Sequence, residues 1–71
     1  MIDVAATGKE ISRRMYEKKL NISQLADQCI VSVQAIYKWT QGRCIPTTEN
    51  LVELAKALDC KMDDLIKEKE E

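Results

Sequence analysis

Two capping residues, Asn21 and Ser32, stand eleven positions apart, and each opens a stretch whose apolar side chains recur at three- and four-residue spacing. Behind Asn21 come Ile22, Leu25, Ala26 and Cys29 on one helical face; behind Ser32 come Ile36 and Trp39. Gly42 then stands where a helix C-terminus favours a residue free to turn left-handed. The spacing predicts two helices of about eight residues, the second over about 33–40, joined by a turn of about three residues, with the whole unit covering about 22–41. Crossing two helices over so short a turn requires apolar side chains on both facing sides and one small residue where the backbones meet. Leu25, Cys29, Val31, Ile36 and Trp39 supply the first, and Ala26 supplies the second.

The flanking sequence adds more helices and no strands. Ile11 and Met15 predict a first helix from about Thr7 to Lys19. Pro46 interrupts the loop from Gly42, Thr47 or Thr48 can cap a fourth helix, and Leu51, Leu54, Ala55 and Leu58 give it the strongest helical pattern in the chain. Met62, Leu65 and Ile66 make a short fifth, and the charged tail 67–71, with nothing apolar to bury, is expected to fray. Seventy-one residues make room for one domain, 1–71. With 45% hydrophobic and 32% charged residues, two Gly and one Pro, the expected class is a compact all-α fold of five helices.

The chain contains no His, which removes histidine-based nucleophilic and general-base catalysis and His-ligated zinc, so it reads as no enzyme, with no cofactor and no metal site. Asp63 and Asp64 more simply complement the dipole of the fifth helix than hold an ion. Cys29, Cys44 and Cys60 are odd in number with no C-x-x-C spacing, and read as reduced thiols. Cys29 and Cys60 belong to apolar faces; Cys44 lies in a loop beside Arg43, where redox chemistry lacks a partner. No apolar run approaches the roughly 20 residues of a membrane span, and the expected location is cytoplasmic. Net charge is −1, yet residues 9–44 sum to +4 and residues 45–71 to −4, so one half can face a polyanion and the other cannot.

The ordered set Gly8 with Ile11, Leu25-Ala26, Val31-Ser32 with Ile36, Trp39 and Gly42, then Pro46, Leu51, Ala55, Leu58, Asp63 and Leu65 resembles the lambda-repressor-like, Cro and Xre type of helix-turn-helix domain from Gly8 to about Lys67. The resemblance implies a sequence-specific DNA-binding transcriptional regulator of bacterial or phage origin, most simply a repressor. Three positions depart from the pattern. Ile30 stands where Gly is usual, and a β-branched residue held at positive φ is strained by about 1–2 kcal/mol, so the turn either differs or is strained. Ile22 replaces a phosphate-binding Gln, and Met15 replaces an Arg.

In this motif the second helix enters the major groove with its N-terminal part foremost. That assigns Ser32, Val33, Gln34, Tyr37 and Lys38 to base edges. The Gln34 amide matches adenine N6 and N7, Lys38 suits guanine O6 or N7 or a phosphate, and Val33 suits a thymine methyl. Asn21, Ser23 and Gln24, at the start of the preceding helix, are expected to hold a phosphate, joined by Arg43 in the loop and Arg14 on the first helix. Arg13, Lys18 and Lys19 serve equally well as solubilising charge. Trp39 belongs to the core rather than to base stacking. The expected partners are double-stranded DNA and a second copy of the chain, a homodimer meeting through Val52, Met62 and Ile66. An alternative is a protein-interaction module, docking a partner as an antitoxin docks its toxin, in which Gln34 would contribute nothing.

Overall fold

Asp3 opens the molecule's first helix: its carboxylate accepts the Ala6 N–H at 3.0 Å, satisfying one of the donors that a helix start leaves unpaired. In this computed structural model, which describes residues 1–69, the chain forms α1 (Val4–Glu17), α2 (Ile22–Cys29), α3 (Val33–Thr40), α4 (Thr48–Ala57) and α5 (Met62–Leu65). Asn21, Ser32 and Thr47 cap α2, α3 and α4 as expected, each side-chain oxygen accepting an N–H of the first turn. Asp64 closes the start of α5 by accepting the Lys61 N–H at 3.0 Å. The expected start of α1 near Thr7 is too late by three residues, because Thr7 and Gly8, both poor helix formers, are held inside the helix by packing.

Those two residues are buried where α1 meets other parts of the chain. A Cβ on Gly8 would press into the carbonyl oxygen of Trp39 and lie 3.0 Å from that of Thr40, so only glycine lets α1 approach the end of α3 this closely. The core collects Ile11 from α1, Leu25, Ala26 and Cys29 from α2, Ile36 and Trp39 from α3, Leu54, Ala55 and Leu58 from the α4 segment, and Leu65 from α5. The α1 helix packs on α3 and α5, while α2 packs on α3 and α4.

All four longer helices end in one way. A left-handed residue follows the cap of α1, α3 and α4 (Lys19, Gly42 and Asp59) and is itself the cap of α2 (Ile30), and the N–H of the next residue reaches back to a carbonyl five positions earlier, at 2.9–3.0 Å in each case. Of the two alternatives at Ile30, the turn therefore keeps its left-handed geometry, with φ 56° and ψ 48°, and the strain is present. Glycine there would relieve about 1–2 kcal/mol of strain and give back about 0.5–1 through the freedom it adds to the unfolded chain. We expect Ile30→Gly to raise stability by about 0.5–1 kcal/mol, measured as an increased urea midpoint at unchanged slope; a lower midpoint would mean that the isoleucine side chain contributes to the fold.

The tail does not fray over 67–69, a correction to the sequence reading. Ile2 and Glu68 form an antiparallel bridge, the Asp3 N–H donates to the Lys67 carbonyl at 2.8 Å, and the Lys69 N–H donates to that of Met1 at 2.9 Å. The buried Thr7 hydroxyl accepts the Lys67 N–H at 3.0 Å. These bonds use backbone groups, so a tail of charged side chains is pinned without burying any of them. Residues 70 and 71 of the expected tail lie outside the described residues.

Candidate nucleic-acid interface

The α3 helix is two-sided. Ile36 (0% exposed) and Trp39 (5%) point into the core, while Ser32, Val33, Gln34, Tyr37 and Lys38 all face outward. Ser32 does double duty, since its hydroxyl oxygen accepts the Ala35 N–H at 3.1 Å and its proton remains available to a ligand. Val33 and Tyr37 are one turn apart and about half-exposed, leaving an apolar strip beside the polar Gln34 and Lys38. The expected base-reading set therefore shares one free face, held rigid by the buried opposite side of the same helix.

The α2 N-terminus carries a reciprocal pair. Asn21 Oδ1 accepts the Gln24 N–H at 2.7 Å, and Gln24 Oε1 accepts the Asn21 N–H at 2.9 Å. With both carboxamide oxygens occupied, what the two side chains turn outward is their NH2 donors. The Ile22 and Ser23 backbone N–H groups have no partner among the described residues. Donors and the positive end of the helix dipole thus converge where a phosphate was expected, and they do so despite Ile22 in place of the usual Gln. Tyr16, exposed at the end of α1, borders a depression of about 510 Å³ with Leu20, Asn21 and Gln24. Its spacing carries no apolar signal, and the sequence reading passed over it.

Arg43 is exposed directly after left-handed Gly42, with exposed Cys44 beside it. Arg14 is placed differently from the rest of the expected phosphate set. It is half-buried, its Nε donates to Glu10 at 2.7 Å, and Asp64 of α5 adds to the field that holds its charge. Arg13 pairs with both Glu10 and Glu17, and Lys18 reaches Asp59 at 3.4 Å. Much of the basic charge on α1 is neutralised within the chain, whereas Lys9, Lys19, Lys38 and Arg43 make no ion pair among the described residues.

Glu10 is the hub of that network. The hydrogen bond from Arg13 lowers its pKa most, burial opposes the shift, and Arg14 and Lys67 assist it, so the carboxyl falls from 4.5 to about 2. A folded-state pKa below the unfolded value contributes stability above about pH 4.5 that is lost as pH falls toward about 2. Chemical denaturation of the parent chain and of Glu10→Gln should accordingly give midpoints that differ at pH 6 and converge across that window. A gap that stays constant with pH would show that Glu10 acts through packing alone.

The surface Val52, Met62 and Ile66, expected to join two copies, is partly covered within the single chain. Of the most exposed large apolar residues among those described, Met1, Tyr16 and Ile30, only Ile30 borders any of the three, lining one depression with Val52.

Comparison with known proteins matches the helix-turn-helix family over residues 11–65. Repressor protein C2 of Salmonella phage P22 is 37% identical over 60 residues, which cover 84% of this chain and 28% of that protein. The cryptic phage CTXphi transcriptional repressor RstR of Vibrio cholerae is 40% identical over 43 residues, covering 61% of this chain and 38% of that one. The chain thus spans about a third of the length of the curated relatives it matches. Among solved structures, the P22 c2 repressor in complex with a synthetic operator superposes with a TM-score of 0.83 at 36% identity, covering 86% of this chain and 92% of that one. The restriction-modification controller protein C.AhdI of Aeromonas hydrophila superposes with a TM-score of 0.84 at 22% identity, covering 89% and 96%, a likeness of fold.

Proposed function

Because this chain belongs to the helix-turn-helix family, we propose that it is a binding protein rather than a catalyst, a cytoplasmic transcriptional repressor that reads double-stranded DNA through the outward face of α3. The observation that carries the reading is the division of α3 into a core side, Ile36 and Trp39, and a free side bearing Ser32, Val33, Gln34, Tyr37 and Lys38. Support comes also from the 36% identical P22 c2 repressor, whose solved structure contains an operator.

In this reading Gln34 pairs with adenine, Lys38 donates to guanine or to a phosphate, and Val33 meets a thymine methyl. Phosphates are held by the Ile22 and Ser23 N–H groups, the outward NH2 donors of Asn21 and Gln24, and Arg43. Arg14 would join them only by leaving Glu10. The whole of 1–71 acts as one domain. A single module buries only about 600–1,000 Å² on DNA, so the working form is a homodimer on two half-sites.

The test is selection of purified protein against random duplex DNA, with sequencing of the retained pool. The expected result is an inverted repeat whose half-sites lie about 34 Å apart, one helical turn. On that sequence Gln34→Ala should cost about 1–3 kcal/mol and relax preference at one base pair. Arg43→Ala should instead weaken binding to every sequence and reduce the salt slope by about one. A pool that stays random overturns the regulator reading, and a single half-site overturns the dimer.

A further inference from the structure

Ile30 is out of place on two counts. It is a β-branched residue held left-handed, and its side chain is 91% exposed. Lys19 and Asp59 take the same conformation at equivalent helix ends, but they carry the polar side chains expected at an exposed corner. Nor does the helix end need an apolar group at this position, since the contact that seals such an end falls to the next residue, and Val31 packs against the core. The fold makes no use of the Ile30 side chain. Beside it lies a depression of about 460 Å³ between α2 and α4, lined by Cys29, Ile30, Glu49, Asn50, Val52 and Glu53. Cys29, Ile30 and Val52 make the apolar half of its lining, and Glu49 and Glu53 add two carboxylates one helical turn apart, with no cation among the lining residues; Lys56 reaches Glu53 at 3.7 Å. A β-branched residue held left-handed and exposed beside a cleft of one charge sign is a feature that the fold itself does not require.

We propose that Ile30, Val52, Glu49 and Glu53 form a docking surface for a basic helical segment of a partner protein. The segment seats an apolar side chain between Ile30 and Val52 and sets Lys or Arg against the two carboxylates. Charge decides the occupant. A DNA phosphate is repelled by the rim, and two copies of the chain meeting through this face would bring four carboxylates together. The surface shares no residue with the face proposed for DNA, so the two readings stand or fall separately.

The probe is a capped helical peptide with leucine and lysine along one face, titrated into the isotope-labelled full chain, with a glutamate-for-lysine peptide as control. Amide resonances of Cys29, Ile30, Glu49, Asn50, Val52 and Glu53 should shift with the lysine peptide only. Ile30→Gly, which relaxes the backbone and keeps the fold, should weaken that binding about tenfold, and the double variant Glu49→Lys, Glu53→Lys should transfer preference to the glutamate peptide. Ile30→Gly, which alters no charge, should retain the parent's affinity for DNA. Shifts that spread to Asp59, Asp63 and Asp64, or binding untouched by Ile30→Gly, would reduce the surface to diffuse negative charge and overturn the proposal. It also falls if the same amides shift with protein concentration alone, which would make a second copy the occupant.

Discussion

The Gly8→Ala variant should melt at least about 8 °C below the parent chain, against the sign that helix propensity predicts. Alanine is favoured over glycine inside a helix by about 1 kcal/mol, and Gly8 lies well inside α1. The added methyl would be driven into the backbone carbonyls of Trp39 and Thr40, which cannot rotate away as a side chain would. Relieving that overlap separates α1 from α3 along their main contact, at a cost of about 3 kcal/mol or more. The net loss of about 2 kcal/mol corresponds to roughly 8–16 °C in a domain of this size. Trp39, the chain's single tryptophan, reports the transition directly by its fluorescence. A melting point at or above the parent's would mean that α1 does not approach α3 this closely.

The Trp39→Ala variant should lose about 3–5 kcal/mol. Trp39 is 5% exposed within the cluster that joins all five helical segments, so the cavity left behind cannot be filled by one neighbour. A 71-residue chain has a total stability of only about 4–11 kcal/mol, so much of the protein should be unfolded at 37 °C, read as lost helical circular dichroism. The DNA binding proposed for the chain should fall in proportion to the unfolded fraction, and excess duplex should then restore helicity by mass action. A variant that stayed fully folded yet lost DNA binding would place Trp39 on the interface and contradict the core assignment.

The sequence was informative where a side chain itself makes the structural bond. Asn21, Ser32 and Thr47 cap their helices through their own oxygens, and the apolar spacing of α4 reappears as Leu51, Leu54 and Ala55 in the interior. The outward set on α3 was equally legible, because the buried Ile36 and Trp39 fix which residues remain outside. What escaped was carried by the backbone. The tail from Lys67 to Lys69 is held through its own N–H and carbonyl groups, which any sequence would supply, with the Thr7 hydroxyl as the one side-chain partner. The early start of α1 depends on Thr7 and Gly8 being worth more as packing residues than they cost as helix formers, a balance set by α3 and the tail, far away in sequence. The neutralisation of Arg14 was missed for a different reason: Glu10 is four residues away and visible, but its choice between Arg13, Arg14 and solvent depends on which face of α1 is covered.

The antiparallel clasp between the two ends has a mechanical consequence. Met1 pairs with Lys69 at the outer end and Asp3 with Lys67 further in, so both ends of the described chain leave the pair on the same side. A force pulling those ends apart loads the pair as a zipper rather than in shear: the bond between Lys69 and Met1 bears the tension first, then the one between Asp3 and Lys67, and then Lys67 is drawn off the Thr7 hydroxyl. Each bond yields singly, at the force one hydrogen bond can resist, and the five helices behind it feel the pull only after the last has opened.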